Sequence, residues 1–251
     1  MNNTEINTKE TRQMRKYFLI ILFVGLVFIS IIYARSQFIF LIDKISVSGN
    51  KELTKNEVIK ISGINKGINI FTVNIDRTIN KLREEPFIRY AYVSRTFPNK
   101  ISINISEREP IALIAMDKLY SFDINGILLP KPTRSNNDLP RLTGIESVYK
   151  FEFGKPTVHY QVRQGVNIIA QIDHYYSEVN DFISELHWNK RYKEWIIVSY
   201  KYKPLIKLGT DDFPIKLQAL NNFFKLMKKK NSNINKFKYI DLRFKNQLIV
   251  K

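Results

Sequence analysis

The sequence of 251 residues contains no cysteine, and this absence removes a whole class of chemistry. Disulfide bonds, thiolate catalysis and cysteine-based metal sites are excluded, because each of them needs a cysteine sulfur atom. A chain without thiols suits an oxidising compartment, although it does not require one.

Groups for acid–base or metal chemistry are also scarce. The histidines are His159, His174 and His187, and their spacing matches no metal-ligand pattern, so structural roles are predicted. No nucleophile elbow, phosphate-binding loop, dinucleotide fingerprint or zinc-protease motif occurs. Adjacent carboxylates such as Glu84-Glu85 and the pair around Arg108 project apart along the chain. The sequence therefore predicts a protein that is not an enzyme and that holds no cofactor or metal.

The formal charge of +17 is large but not concentrated. Residues 1–16 carry four cations and two acidic side chains, which leaves +15 for the rest of the chain. The one tight run is Lys228 to Lys230, without the interleaved aromatic side chains of a nucleic-acid site. We predict no nucleic-acid binding; attraction to an anionic lipid or wall polymer and a solvated face remain open.

Residues 17–34 form an apolar run without any charged side chain. As a helix of about 1.5 Å rise per residue it would be about 27 Å long, close to the bilayer core of about 30 Å. A helix buried in a globular core normally keeps a polar stripe, and this run has none. The run predicts a transmembrane helix.

The charges beside this run predict its orientation. Arg12, Arg15 and Lys16 precede it closely, whereas only two cations follow within ten residues. By the positive-inside rule, residues 1–16 are a cytoplasmic tail and the remainder is periplasmic or extracellular. A cleaved signal peptide is the alternative, but the run is longer than usual and Ile32 would occupy a position that needs a small residue.

Residues 38–108 predict a first α+β domain that begins with a strand at 41–47. Thr54 and Glu57 are spaced as a capping box at the start of a helix that Gly63 ends. The order that follows is a second helix, then two strands.

The second helix has apolar residues spaced four and three apart, with Asn74 or Asp76 as its cap and a proline after its end. The alternating runs 87–97 and 100–108, separated by Pro98, predict a hairpin. The element order is therefore β-α-α-β-β.

Residues 109–251 predict a second, β-rich α+β domain. Strands at 111–116, 119–122 and 127–129 surround Asn125-Gly126, which favours a type I′ hairpin turn. Asp123 with Asn125 resembles part of a calcium loop, but the other oxygen ligands are missing, so no calcium site is predicted.

Two helices and several strands complete this second domain. Apolar residues spaced four and three apart predict one helix from Ile168 to Leu186, and another helix follows Asp211-Asp212. The apolar side chains of both helices are interpreted as core. The predicted strands are 195–202, 205–208 and 237–250.

The last predicted strand, FKYIDLRFKNQLIV, is the most informative segment. Its alternation predicts that Ile240, Leu242 and Phe244 face the core, and that the residues between them, including Asp241 and Arg243, face water. At a sheet edge, its backbone groups could pair with a strand of another protein. An ordinary terminal strand within its own sheet is the alternative.

Three segments give the chain a resemblance to a known family: IDKISVSGNKELTKNEVI, SGINKGINIFTVN and LREEPFIRYAYVSRTFPNKISINISEREPIA. In order and spacing they resemble the POTRA domain of the bacterial cell-division proteins FtsQ and DivIB, which also follows a single N-terminal span. The similarity is good over residues 17–144 and looser beyond, where KYIDLRF resembles the last conserved strand of the family.

The resemblance implies a non-enzymatic division scaffold at the septum. It implies binding of FtsB-like and FtsL-like single-pass partners and, through them, control of an FtsW/FtsI-like septal peptidoglycan synthase. Carried over residue by residue, it implies that a partner strand binds at five residues. These residues are Tyr239, Leu242, Arg243, Phe244 and Lys245.

Two other functions remain open. An envelope enzyme acting on wall polymer would use the positive charge to attract its substrate. A POTRA-type chaperone or transport module would normally precede a β-barrel, and the strands here do not form the long, even series that a barrel needs.

Overall fold

The computed structural model describes residues 3–36, 38–115, 118–133, 138–145, 152–245 and 247–251. The chain divides into two compact units, and the division passes through the helices and strands of the first predicted domain. The first unit comprises Met1–Ser48, Lys55–Lys81 and Tyr92–Asn104, and the second comprises Gly49–Thr54, Leu82–Ala91 and Ile105–Lys251. The predicted domain limits at 38–108 and 109–251 thus remain predictions.

Helix α1 (Asn3–Ser36) contains the apolar run. Its segment Met14–Tyr33 has a mean hydropathy of 2.4, and none of that segment is buried inside the protein. A helix that belonged to a soluble core would bury its apolar side chains, whereas Phe23 of α1 is 69% exposed. By length and composition, α1 is one helix that could cross a membrane.

A three-stranded sheet and two helices follow α1, in the predicted β-α-α-β-β order. The elements are β1 (Lys44–Ser48), α2 (Lys55–Ser62), α3 (Ile75–Arg83), β2 (Ile88–Thr96) and β3 (Lys100–Glu107). The sheet order is β1-β3-β2, and β1 runs parallel to β3, with Lys44 opposite Lys100. The mixed sheet with two helices confirms the α+β class.

The ends of these helices follow local rules. Gly63 ends α2 with a φ of +68°, in the left-handed region that favours glycine. At the start of α3, the Asn74 side chain accepts a hydrogen bond of 2.9 Å from the Arg77 backbone N–H. Asn74, rather than Asp76, is therefore the cap of α3.

The second unit is built on a nine-stranded mixed sheet. Its strands are β4 (Pro110–Ala115), β5 (Leu119–Asp123), β6 (Leu128–Pro130), β7 (Arg141–Thr143), β8 (Glu185–Asn189), β9 (Glu194–Val198), β10 (Leu205–Gly209), β11 (Tyr239–Asp241) and β12 (Ile249–Val250). Their order across the sheet is β12-β11-β10-β9-β8-β7-β4-β5-β6, so that β12 and β6 form the two edges.

Helices α4 (Tyr160–Tyr175), α5 (Ser177–Asn180) and α6 (Phe213–Lys229) complete this unit. Trp195 of β9 is fully buried in the core. Gly165 of α4 permits close packing against the sheet, because a Cβ atom there would lie 2.5 Å from Leu142 Cδ1 and 2.9 Å from Trp195 Cη2. The predicted apolar stripe of α6 is confirmed as core, from Leu217 to Met227.

The predicted helix from Ile168 to Leu186 is wrong in its second half. The chain leaves helical geometry at Tyr176, and α5 is a separate turn whose Glu178 N–H donates to Asn221 Oδ1 of α6 at 3.1 Å. Leu186 belongs to β8, opposite Ile197 of β9. Apolar side chains continue at helical spacing through the turn, so that periodicity alone hides the break.

The hairpin between β5 and β6 is confirmed, but its turn is not type I′. A type I′ turn needs positive φ at two residues, and only Gly126 of the predicted pair has it, at +70°. The Asp123 side chain instead accepts hydrogen bonds from the N–H groups of Asn125 and Ile127, at 2.9 and 2.8 Å. The predicted strand from 111 ends at Ala115 in β4, and its last residue, Met116, lies outside the described residues.

Candidate partner-binding site

The predicted C-terminal strand is divided into two short strands, β11 and β12. Strand β11 runs parallel to β10 on one side and antiparallel to β12 on the other. The expectation that the strand around Tyr239 lies at the sheet edge is therefore wrong, because residues 249–250 turn back and cover it. The edge at this side of the sheet is β12.

Backbone hydrogen bonds define which groups of β12 face outward. Tyr239 and Lys251 exchange a pair of bonds, with N–O distances of 3.4 and 3.2 Å, and Ile240 is opposite Val250. Hydrogen-bonded and non-hydrogen-bonded pairs alternate along an antiparallel ladder. The backbone N–H and C=O of Val250 consequently point away from β11, toward the outer side of the sheet.

The predicted alternation of burial holds for only part of the segment. Ile240 and Leu242 are buried as predicted, but Asp241 is also buried and Phe244 is 50% exposed. The reason is that β11 ends at Asp241, so that the two-residue period of a strand does not extend to Phe244. The Leu242 N–H still donates to the Lys207 carbonyl at 2.9 Å, which fixes the chain where it leaves the sheet.

Arg243 lies between two buried carboxylates. Its Nε donates to Asp241 Oδ1 at 2.9 Å, its Nη2 to Asp241 Oδ2 at 2.6 Å and its Nη1 to Glu194 Oε2 at 3.2 Å. Burial alone would raise the pKa of Asp241, but the bonds from Arg243 hold that pKa below its usual value. The bond to Asp241 also raises the pKa of Arg243. This ion cluster joins β9 to the end of β11.

Two other predicted site residues lie near the cluster. The Tyr239 ring is half-buried, and Lys207 Nζ lies 5.1 Å from its centroid. Lys245 is exposed. Of the five predicted residues, Phe244 and Lys245 thus present their side chains to solvent, whereas Leu242 and the Arg243 guanidinium are engaged within the protein.

A groove of about 560 Å³ runs between α6 and the segment that follows β11. Leu242, Phe244, Leu248 and Val250 line one side of this C-terminal groove. Because Phe244 and Val250 are also exposed, the groove offers apolar surface to a partner directly beside the β12 edge.

The opposite side of the C-terminal groove is a second apolar stripe of α6. It consists of Ile215, Ala219, Phe223 and Leu226. These residues are spaced four, four and three apart, which is visible in the sequence, but the stripe at Leu217, Leu220 and Phe224 was sufficient to explain the helix. Ile215 is 65% exposed and Leu226 48% exposed, so α6 has one face in the core and another at the surface.

Groups that could bind a metal are engaged elsewhere. Within the described residues, no group of three or more His, Asp or Glu side chains could hold a metal ion. Asp123, the residue of the calcium-like fragment, also accepts a 3.0 Å hydrogen bond from Arg108 Nη1. His159 Nδ1 accepts from the Val162 N–H at the start of α4, and burial lowers the pKa of His159.

Comparison with known proteins identifies both parts of the chain. Residues 40–108 match the POTRA domain of the FtsQ type, which defines the class of the first sheet and its helices. Residues 112–243, more than half of the chain, match the C-terminal domain of cell division protein FtsQ/DivIB. The chain therefore belongs to the FtsQ/DivIB family of bacterial cell-division proteins.

Individual relatives agree with this assignment. Cell division protein FtsQ of Geotalea daltonii is 29% identical over 215 residues, which cover 84% of this chain and 76% of the relative. FtsQ of Syntrophotalea carbinolica is 26% identical over 213 residues, with 84% and 74% covered. DivIB of Clostridium tetani is 36% identical over 114 residues, or 45% and 43% of the two chains.

Proposed function

We propose that this chain is a membrane-anchored, non-enzymatic scaffold of the division septum. Its helix α1 crosses the membrane with the N-terminus in the cytoplasm, and residues after α1 lie on the outer side. There it binds FtsB-like and FtsL-like single-pass proteins, and through them it controls an FtsW/FtsI-like septal peptidoglycan synthase. Membership of the FtsQ/DivIB family supports this general role.

The observation that carries the partner site is the C-terminal groove beside the β12 edge. Exposed Phe244 and Val250 form apolar surface where the backbone of Val250 also faces outward. An extended partner strand can pair with such an edge through its main chain and place alternate side chains in a neighbouring pocket. Large apolar side chains contribute about 1.5–3 kcal/mol each when fully buried.

This arrangement gives each predicted residue a role in the proposal. Phe244 contacts an apolar side chain of the partner, and Lys245 pairs with a carboxylate of the partner. Leu242 forms the base of the groove. Tyr239 and Arg243 hold β11 in place, so that β12 is presented at a fixed position.

The first test is the affinity of the full chain, in detergent or nanodiscs, for the extracytoplasmic part of an FtsB-like protein from the same cells. We expect Phe244→Lys to weaken binding at least tenfold. The matched control is Phe153→Lys, because Phe153 is 47% exposed and its neighbour Gly154 bonds to β6 at the opposite sheet edge. Unchanged affinity for Phe244→Lys, or equal losses for both variants, would contradict the proposed site.

A second test addresses strand addition. Val250→Pro removes the outward N–H of β12, and we expect it to weaken partner binding because that N–H can no longer pair. Ile249→Pro instead disturbs the pairing of β12 with β11. If Val250→Pro binds normally, the partner does not add to this edge; tighter binding by Ile249→Pro would show that the partner replaces β12.

A further inference from the structure

Exposed apolar side chains gather at one end of the three-stranded sheet. These residues, here called the aromatic patch, are Phe38, Ile39, Ile68, Phe71 and Phe97. Their exposed fractions range from 38% for Ile68 to 84% for Phe38. A soluble surface seldom collects this much apolar area without a partner, so the patch requires an explanation.

The aromatic patch is held together by contacts between three segments of the chain. Phe71 lies at the centre, with its ring centroid 5.3 Å from that of Phe40 and 5.5 Å from that of Phe97. Ring pairs at this separation attract one another beyond their shared burial. The aromatic side chains therefore form one continuous surface.

Backbone bonds fix the same three segments. The Ile42 N–H donates to the Ile68 carbonyl at 2.9 Å, and the Asp43 N–H donates to the Asn99 carbonyl at 3.0 Å. Arg95 adds side-chain bonds, from Nε to the Ile70 carbonyl at 2.9 Å and from Nη2 to the Val73 carbonyl at 2.6 Å. The patch is thus part of the folded domain and not a loose linker.

Its distance from α1 along the chain is short. The apolar segment of α1 ends at Tyr33, the helix ends at Ser36, and Phe38 begins the next turn. At the rise of a helix and the reach of an extended chain, Phe38 lies at most about 12 Å beyond that apolar segment. If α1 spans the bilayer, the aromatic patch begins at the level of the lipid headgroups.

The chemistry of the patch also fits this location. Aromatic side chains are enriched at the membrane–water interface, where the rings contact both acyl chains and headgroups. Exposed Lys44 and Lys66 flank the patch and suit anionic lipid phosphates, although Asp43 is exposed beside them.

We infer that the aromatic patch inserts into the headgroup region of the bilayer and docks this end of the POTRA domain on the membrane. The inference rests on the proposed membrane span of α1. Docking limits how the domain can rotate about its tether, which the short connection after α1 alone does not achieve.

The absence of cysteine makes a direct test possible, because a single introduced cysteine carries the only label. The full chain is placed in nanodiscs with a fluorophore on Ile68→Cys, within the patch, or on Asn56→Cys. Asn56 is exposed in the first turn of α2, whereas the patch follows the last turn of that helix. Quenching by lipids with a nitroxide on the headgroup reports contact with the bilayer surface.

We expect quenching at Ile68→Cys to be several-fold stronger than at Asn56→Cys. The substitutions Phe71→Ser and Phe97→Ser together should reduce it to the Asn56→Cys level, although the tether is unchanged. Phe38→Ser with Ile39→Ser should act in the same direction and affects no residue of the sheet. Circular dichroism checks that each variant is folded.

Equal quenching at the two labels, or quenching that persists in both double variants, would overturn the inference. Protection of the Ile68→Cys label without quenching would also overturn it, because a second protein copy would then cover the patch. Flotation of every variant with lipid tests the α1 span separately. Loss of flotation would contradict the proposed anchor, whereas flotation without quenching contradicts the docking alone.

Discussion

Two neighbouring regions at the end of the C-terminal sheet use their side chains in opposite ways. The ion cluster of Glu194, Asp241 and Arg243 directs its charges inward, with both carboxylates buried. The C-terminal groove begins at the next residue, where Phe244 directs an aromatic ring outward. The usual expectation of apolar side chains inside and charges outside is thus reversed over two consecutive residues.

This comparison separates stability from binding. A buried carboxylate that loses its cation is destabilising, because desolvation of the charge is no longer offset. An exposed aromatic side chain contributes little to folding but much to an interface. We therefore expect substitutions at Arg243 to unfold the unit, and substitutions at Phe244 to leave it folded.

The largest expected effect is that of Arg243→Ala. It leaves Asp241 and Glu194 without their cation, and we expect the unfolding free energy to fall by about 2–3 kcal/mol. This is less than for a fully buried pair, because the Arg243 side chain is 37% exposed and solvent screens part of its charge.

Trp188 and Trp195 both belong to the second unit, so their fluorescence during thermal unfolding of the detergent-solubilised chain reports on it alone. Lys228→Ala is the control, since it removes an exposed pair with Glu178 and should change stability by less than about 1 kcal/mol. If the two variants unfold at the same temperature, the ion cluster does not stabilise the sheet.

The next effect in size is that of acid. The folded pKa of Asp241 lies below its usual value of 3.8, so its stabilising contribution is present above the pKa of the unfolded chain. That contribution is lost as the pH falls from about 4 through the folded pKa. Tryptophan fluorescence should show a smaller acid-induced loss of stability for Asp241→Asn than for the unsubstituted chain, and an equal loss would contradict the assignment.

The smallest expected effect on stability is that of Phe244→Lys. Because this side chain is half-exposed, we expect the unfolding free energy to change by no more than about 0.5 kcal/mol. The same thermal unfolding experiment measures it, with Phe153→Lys alongside. A loss as large as that of Arg243→Ala would show that Phe244 belongs to the core and would remove the contrast between the two regions.

Local signals in the sequence predicted much of this fold. The capping box before α2, the glycine after it, the asparagine at the start of α3 and the four-and-three spacing in α6 each act within one or two turns of chain. The hairpin at Gly126 was also predictable, since a loop that needs positive φ favours glycine.

The remaining features depend on partners that are distant in sequence. Strand β7 has three residues, too few for a visible alternation, and it is fixed by parallel pairing with β4 and β8. Asp241 looked solvent-facing because its alternation gave no sign of Glu194, which joins the same cation from β9. The end of the final strand was missed for a similar reason, because the return of Ile249 and Val250 onto β11 is a tertiary contact.

The most direct test of the central claim is photo-crosslinking in dividing cells. A photoreactive amino acid replaces Phe244 in one strain and Phe153, near the opposite sheet edge, in another. The account predicts an adduct with a small single-pass division protein from position 244 and none from position 153. Absence of that adduct at 244, or the same adduct from both positions, would contradict a partner site at the C-terminal groove.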